Sequence, residues 1–302
     1  TNSNAYEDVV TRLLDDPAYG ERWGRHWMDV WRYSDWAGYK ASLRDSQRHI
    51  WHWRDWIIES LNEDKPYDRM LVEMLAADEV APEDADAVRA TGFLARNYFH
   101  ERNQWMDNVV KHTSQGFLGI TVGCAKCHDH MYDPISQRDY YAMRAIFERY
   151  SVRTDRVPGV LDTAKNGIPR AYDNTLAVQT WLFESGDERR PLKDEAIPAG
   201  VPASLGGSFV VEPVSLPLLA VKPERREFVK RDLIAQAEKV VADAKNEVAL
   251  QAADSKLATL KALLEIEALE DGGRKNSEEW KTAAKKLVEL QRQAAVSDSR
   301  WK

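Results

Sequence analysis

Apolar residues recur at three-and-four spacing in blocks divided by short polar breaks, which lays the first half of the chain out as successive amphipathic helices. Tyr6, Val9, Val10, Leu13 and Leu14 form the first block, opened by a capping-box pair at Asn4 and Glu7 and stopped at Asp15-Asp16-Pro17. A second helix is predicted from Gly20 to Tyr33, with Trp23, Trp27 and Val30 as its buried stripe. A neighbouring face of it stacks Arg22, His26, Asp29 and Tyr33. After the polar stretch 37–48, Ile50, Trp53, Ile57 and Leu61 mark a third helix ended by Lys65-Pro66, and Met70, Leu71, Met74 and Leu75 a short fourth. The acidic run 77–87 with Pro82 reads as an exposed loop of solvated carboxylates.

A further helix is predicted from Gln104 to about Thr121, with Trp105, Val109, Phe117 and Ile120 on its apolar side. His112, Gly116, Gly119 and Gly123 fall on one face that is almost bare beyond the histidine, as where a partner helix or a flat ligand comes close. Beyond Asp133-Pro134, Ser136 and Asp139 form a second capping box for a helix carrying Tyr140, Met143, Phe147 and Tyr150. Prolines and glycines then become frequent, and Thr175 to Phe183 and Ser208 to Val211 read as short strands. From about Pro223 the chain is rich in Ala, Lys, Glu and Leu and predicts a two-helix antiparallel hairpin broken at Gly272-Gly273, with a cap at Asn276 or Ser277. The expected fold is therefore mainly α: a helical part over 1–150, an irregular β-containing connector over 151–222 and a helical hairpin, coiled-coil-like, over 223–302.

Composition narrows the chemistry. A net charge of −7 argues against a nucleic-acid partner, which needs clustered Lys and Arg, and no stretch approaches the roughly 20 apolar residues of a membrane span. Eight of the 11 tryptophans (Trp23, Trp27, Trp31, Trp36, Trp51, Trp53, Trp56 and Trp105) precede residue 124. They read first as an aromatic core, and otherwise as a pocket lining or as stacking platforms for sugars.

Both cysteines fall in Gly123-Cys124-Ala125-Lys126-Cys127-His128-Asp129-His130. Two thiols in Cys-x-x-Cys-His can add to the vinyl groups of a haem while the histidine reaches the iron. The leading reading is thus covalently bound haem c, with Cys124 and Cys127 as anchors and His128 as iron ligand. The alternatives are a zinc site from Cys124, Cys127, His128 and His130, which needs adjacent side chains to fold back on one ion, a thioredoxin-like pair, and a disulfide. For the sixth iron position His112 lies twelve residues from Cys124, roughly 18 Å along a helix at about 1.5 Å per residue, and His130 is too near His128. His26 is the first choice, against an open or water-bound site.

Several blocks together resemble the planctomycetal cytochrome-like family: Tyr19 to Asp29, Trp53-Arg54-Asp55-Trp56, Asp64 to Arg69, Ala90 to Phe93, and Gly123 to His130 with Tyr132 to Gln137. The resemblance covers about 5–210, where Gly186 to Arg189 and Pro198 to Pro202 resemble the family's connector. It implies haem c, iron, and a periplasmic or cell-surface location. It also implies a longer polypeptide, with further regions or another redox protein as partner. Met131 departs from the family's usual lysine. The preferred function is an extracytoplasmic haem c oxidoreductase, with His26, Asp29 and Tyr33 as proton-moving pocket groups and a carbohydrate-related substrate. The other readings are an electron-transfer module without its own substrate and a glycan-binding or structural protein.

Overall fold

The structure is a computed structural model that describes residues 3–34, 48–96, 101–174, 177–206 and 209–299. It divides into two compact units, one formed by Thr1–Asp155 with Gly167–Ala220 and the other by Arg156–Asn166 with Val221–Lys302. The fold is mainly helical with small antiparallel sheets. Trp36 and most of the polar stretch 37–48 lie outside the described residues.

The first unit opens with α1 (Ala5–Leu14) and α2 (Ala18–Val30). The capping box expected at Asn4 does not form, because Asn4 (φ −106°, ψ 17°) lacks the extended backbone that turns an N-cap side chain onto the first turn. The stripe of α1 is exposed, and so are Trp23 and Val30 of α2. The buried line of α2 is instead Gly20, Gly24, Trp27 and Trp31, displaced because its glycines admit another helix closely: a Cβ on Gly20 would lie 2.4 Å from the Ile58 carbonyl oxygen of α3 (Trp51–Asn62). Asn62 fastens the pair, its Oδ1 accepting from the Gly20 N–H at 2.8 Å.

The core gathers Trp31, Trp53, Trp56 and Trp105, all fully buried, so these four tryptophans serve packing. Around them stand α4 (Tyr67–Val80), α5 (Ala85–Arg89), α6 (Gly92–Ala95), α7 (Arg102–Thr113) and α8 (Gln137–Phe147). The loop expected over 77–87 is largely helical. α4 continues through a kink at Ala76, and Asp84 starts α5 by accepting from the N–H groups of Asp86 and Ala87. Asp78, expected in solvent, is buried, because the kink turns its end of α4 into the core. The helix predicted to Thr121 ends at Thr113, widens into a π turn over Ser114–Leu118 and stops at Gly119, whose φ of 67° closes the turn left-handed. Consequently His112, Gly116, Gly119 and Gly123 do not share one helical face. The capping box at Ser136 forms as expected, with Asp139 bonding back to the Ser136 N–H.

Two antiparallel ribbons complete the unit: β1 (Tyr150–Asp155) with β2 (Ile168–Asp173), and β3 (Thr180–Phe183) with β4 (Pro191–Ile197). Of the strands expected from sequence, the first is a strand over 180–183 and not over 177–179, while 175–176 and Ser208 lie outside the described residues; 209–211 is not a strand. Prolines 169 and 191 sit within these ribbons because every strand of a two-stranded sheet is an edge. A single turn, α9 (Leu218–Val221), follows.

In the second unit the predicted two-helix hairpin is three helices, α10 (Glu227–Ala242), α11 (Glu247–Asp271) and α12 (Glu278–Ser299). The extra break falls at 243–246, where Asn246 takes an extended backbone and caps α11 by accepting from the Ala249 N–H at 2.8 Å. Ser277 caps α12 through Trp280. Ile266, Leu269 and Ala283 form a small core between α11 and α12.

Candidate functional site

The cysteine motif occupies a short 3-10 turn, Gly123–Lys126, continued by Cys127 and His128. Such a turn is stable only if its backbone is held from outside, and three elements hold it. Val122 and Ala125 are driven into the core, fixing which side of the turn faces outward. From α8, Gln137 Nε2 and the Tyr141 hydroxyl both donate to the Lys126 carbonyl, at 3.0 and 3.1 Å. Asp107 of α7 then anchors the side chains: it receives the Lys126 ammonium, accepts from the Tyr140 hydroxyl at 2.6 Å and stands 3.6 Å from Arg144. Burial, and next the Asp107 charge, push the Tyr140 phenol far above its ordinary range, so it stays a proton donor to that carboxylate.

The consequence is a rigid presentation of both thiols. Cys124 and Cys127 are free and exposed on one turn. Gly186, between β3 and β4, closes on the second thiol with φ 74°, and a Cβ there would lie 2.6 Å from Cys127 Sγ. His128 is exposed beside them, and its Nδ1 lies 2.6 Å from the Asp129 carbonyl oxygen. A proton on Nδ1 satisfies that contact and leaves the Nε2 lone pair as the ligating one, an arrangement that orients metal-bound imidazoles.

The four side chains offered by the sequence for a zinc site are not gathered. His130 is turned inward, with Nδ1 accepting from the Asp133 N–H at 2.9 Å, and no group of three or more His, Cys, Asp or Glu among the described residues could hold a metal ion. Met131 is exposed. The structure thus brings Cys124, Cys127 and His128 together on one surface. His26 and Asp29 lie on the solvent face of α2, where the His26 ring stands 5.5 Å from that of Trp23 and Trp23 stands 6.5 Å from Tyr19. Tyr33, just past that helix, packs its ring 5.7 Å from Trp53 in the core.

Residues 1–152, half of the chain, match the family described as PSCyt2, protein of unknown function (DUF1549). The chain belongs to that family. PSCyt2 is the planctomycetal cytochrome-like family whose motif blocks the sequence resembles, and the matched region contains the whole cysteine turn together with α1 to α8. Comparison with curated proteins and with solved structures gives no match. Among the described residues no helix is long and apolar enough to cross a membrane.

Sequence reading missed Asp107, Tyr141 and Gly186 as supports of the turn. The first two sit at ordinary helical positions and carry no local signal. Gly186 follows a β-strand in a Glu-Ser-Gly turn, where a glycine needing positive φ is a recognisable cue.

Proposed function

We propose that this PSCyt2 member is an extracytoplasmic c-type haem oxidoreductase. The observation that carries the reading is the paired exposure of Cys124 and Cys127 on one braced turn, with His128 directly after them and its Nδ1 engaged by a backbone carbonyl. These residues fit the group: Cys124 and Cys127 would hold it by thioether bonds, and His128 Nε2 would ligate the iron. Bound haem supplies one-electron chemistry, tuned by its axial ligands and surroundings.

The protein's own part in such chemistry is positioning. Asp107, Tyr141 and Gln137 keep the turn from collapsing, and Gly186 leaves room at the Cys127 sulfur. A carbohydrate-related substrate is supported by the line Tyr19, Trp23 and His26 on α2, where a half-exposed indole offers a flat face for a sugar ring and Asp29 lies one turn beyond as a proton acceptor. In this reading His26 and Asp29, on the exposed face of α2, are the groups that move protons or occupy the sixth position, and Tyr33, its ring packed on Trp53, is not grouped with them. A second reading, an electron-transfer module, is favoured by the exposure of the turn itself, since a redox centre anchored there would offer an edge to a partner protein.

The test is expression of the chain in a host with an extracytoplasmic haem-attachment system. A Soret band that survives denaturation, a mass increase of one haem, and loss of both in Cys124→Ala/Cys127→Ala are expected. Unmodified cysteines in such material would overturn the assignment. Carbon monoxide binding to the reduced protein separates an open catalytic iron from a closed electron carrier.

A further inference from the structure

Arg96 ends α6 inside the aromatic core, and among the described residues its guanidinium has no anion. The residue is 4% exposed. Its Cζ lies 4.3 Å from the Phe93 ring centroid and 5.7 Å from that of Trp53. Among the described residues its Nε and Nη2 have no hydrogen-bond partner and no carboxylate forms an ion pair with it. Buried guanidinium groups elsewhere in the same unit are paired: Arg144 with Glu148 at 2.8 Å, and Arg170 with Asp155 at 3.4 Å. A buried cation left alone is costly, so an unpaired one in an otherwise well-packed core calls for an external partner.

The chemistry of that partner follows from which nitrogens are free. Nε and Nη2 form the side edge of the guanidinium, whose two parallel N–H vectors match the two oxygens of a carboxylate. Arg32, past the end of α2, acts on it with a charge of the same sign, and burial, then Arg96 together with Lys111 and Arg32, keeps the nearby His112 of α7 neutral. The neighbouring indole Nε1 of Trp53 is likewise a buried donor without an acceptor among the described residues. Among the described residues no acceptor bonds these donors.

We propose that the Nε–Nη2 edge of Arg96, walled by Phe93 and Trp53, binds the carboxylate of a small ligand. Two sources share this chemistry, a free organic acid and a propionate arm of the haem proposed above. The site stands without the second, so failure of the haem assignment leaves it intact.

The experiment is thermal unfolding of the full chain in sodium acetate or sodium succinate against sodium chloride at equal ionic strength, followed by tryptophan fluorescence. The expected result is a saturable rise in Tm with the carboxylate alone, as for any ligand that binds only the folded chain. Arg96→Met is expected to weaken that response at least tenfold while keeping or raising the Tm without carboxylate, because it removes a buried unpaired charge. Arg96→Lys, which keeps the charge and loses the fork, is expected to weaken it several-fold and guards against a variant that fails to fold. If haem-loaded protein shows no response and Cys124→Ala/Cys127→Ala protein shows the full one, a propionate is the source; a response in both assigns the free acid. Equal behaviour of acetate, succinate and chloride in both preparations, or an unchanged response in Arg96→Met, overturns the proposal.

Discussion

Replacing Asp78 by Asn tests how burial sets charge in this fold. The kink at Ala76 carries Asp78 into the core, where Oδ1 lies 3.4 Å from the Tyr150 hydroxyl and Oδ2 has no hydrogen-bond partner among the described residues. Burial is the largest influence on its acidity and pushes its pKa from 3.8 to about 7. Arg170 opposes this and Glu79 and Asp173 reinforce it. Arg170 cannot prevail because it is also paired with Asp155 and bonded to the Pro82 carbonyl. With the folded pKa raised, the unfolded chain releases this proton first as pH climbs above 3.8. Stability contributed by the neutral acid is therefore complete below pH 3.8 and lost as pH rises to about 7. About 3 pH units at ~1.4 kcal/mol each give an upper bound of about 4 kcal/mol, and relaxation around the charge brings the expectation to about 2–4 kcal/mol. Asparagine keeps the shape of the neutral acid. Urea unfolding followed by tryptophan fluorescence should find Asp78→Asn more stable than the parent by that amount at pH 8 and within about 1 kcal/mol of it at pH 4.5. A difference that is the same at both pH values, or a variant less stable at pH 8, would refute the reasoning.

His112 should show the opposite dependence. Burial first, then Arg96, Lys111 and Arg32, hold its pKa down at about 3, so below pH 6.5 the unfolded chain takes up a proton that the folded chain refuses, and stability falls with acid. The residue is partly exposed and solvent screens its neighbours, so replacement by Gln should remove about 1–2 kcal/mol of the loss between pH 6.5 and 4, measured by the same unfolding curves; an unaltered slope counts against a neutral imidazole there. Gly186→Ala puts a Cβ against Cys127 Sγ at a residue of positive φ, and about 1–3 kcal/mol of destabilisation is expected with lower haem attachment per chain. Wild-type Tm together with wild-type haem content in that variant would show that Cys127 does not depend on this close approach.

The alternation of apolar and polar residues, with the spacing of cap residues, was enough to place the helices α1 to α4 and the capping box at Ser136, because periodicity and caps involve residues near each other in the chain. It was not enough to say which face of α2 is buried. That depended on Ile58 and Asn62, some forty residues away, meeting Gly20 and Gly24. The acidic run looked solvated until the Ala76 kink turned Asp78 inward, and α7 looked continuous until Gly119 ended its π turn. Arg96 carries no signal in sequence, since the lack of a partner for its Nε and Nη2 among the described residues depends on what folding places beside it. Local order was written along the chain, whereas desolvation and charge pairing are set by what folding brings together from distant positions, and only the tertiary structure could supply them.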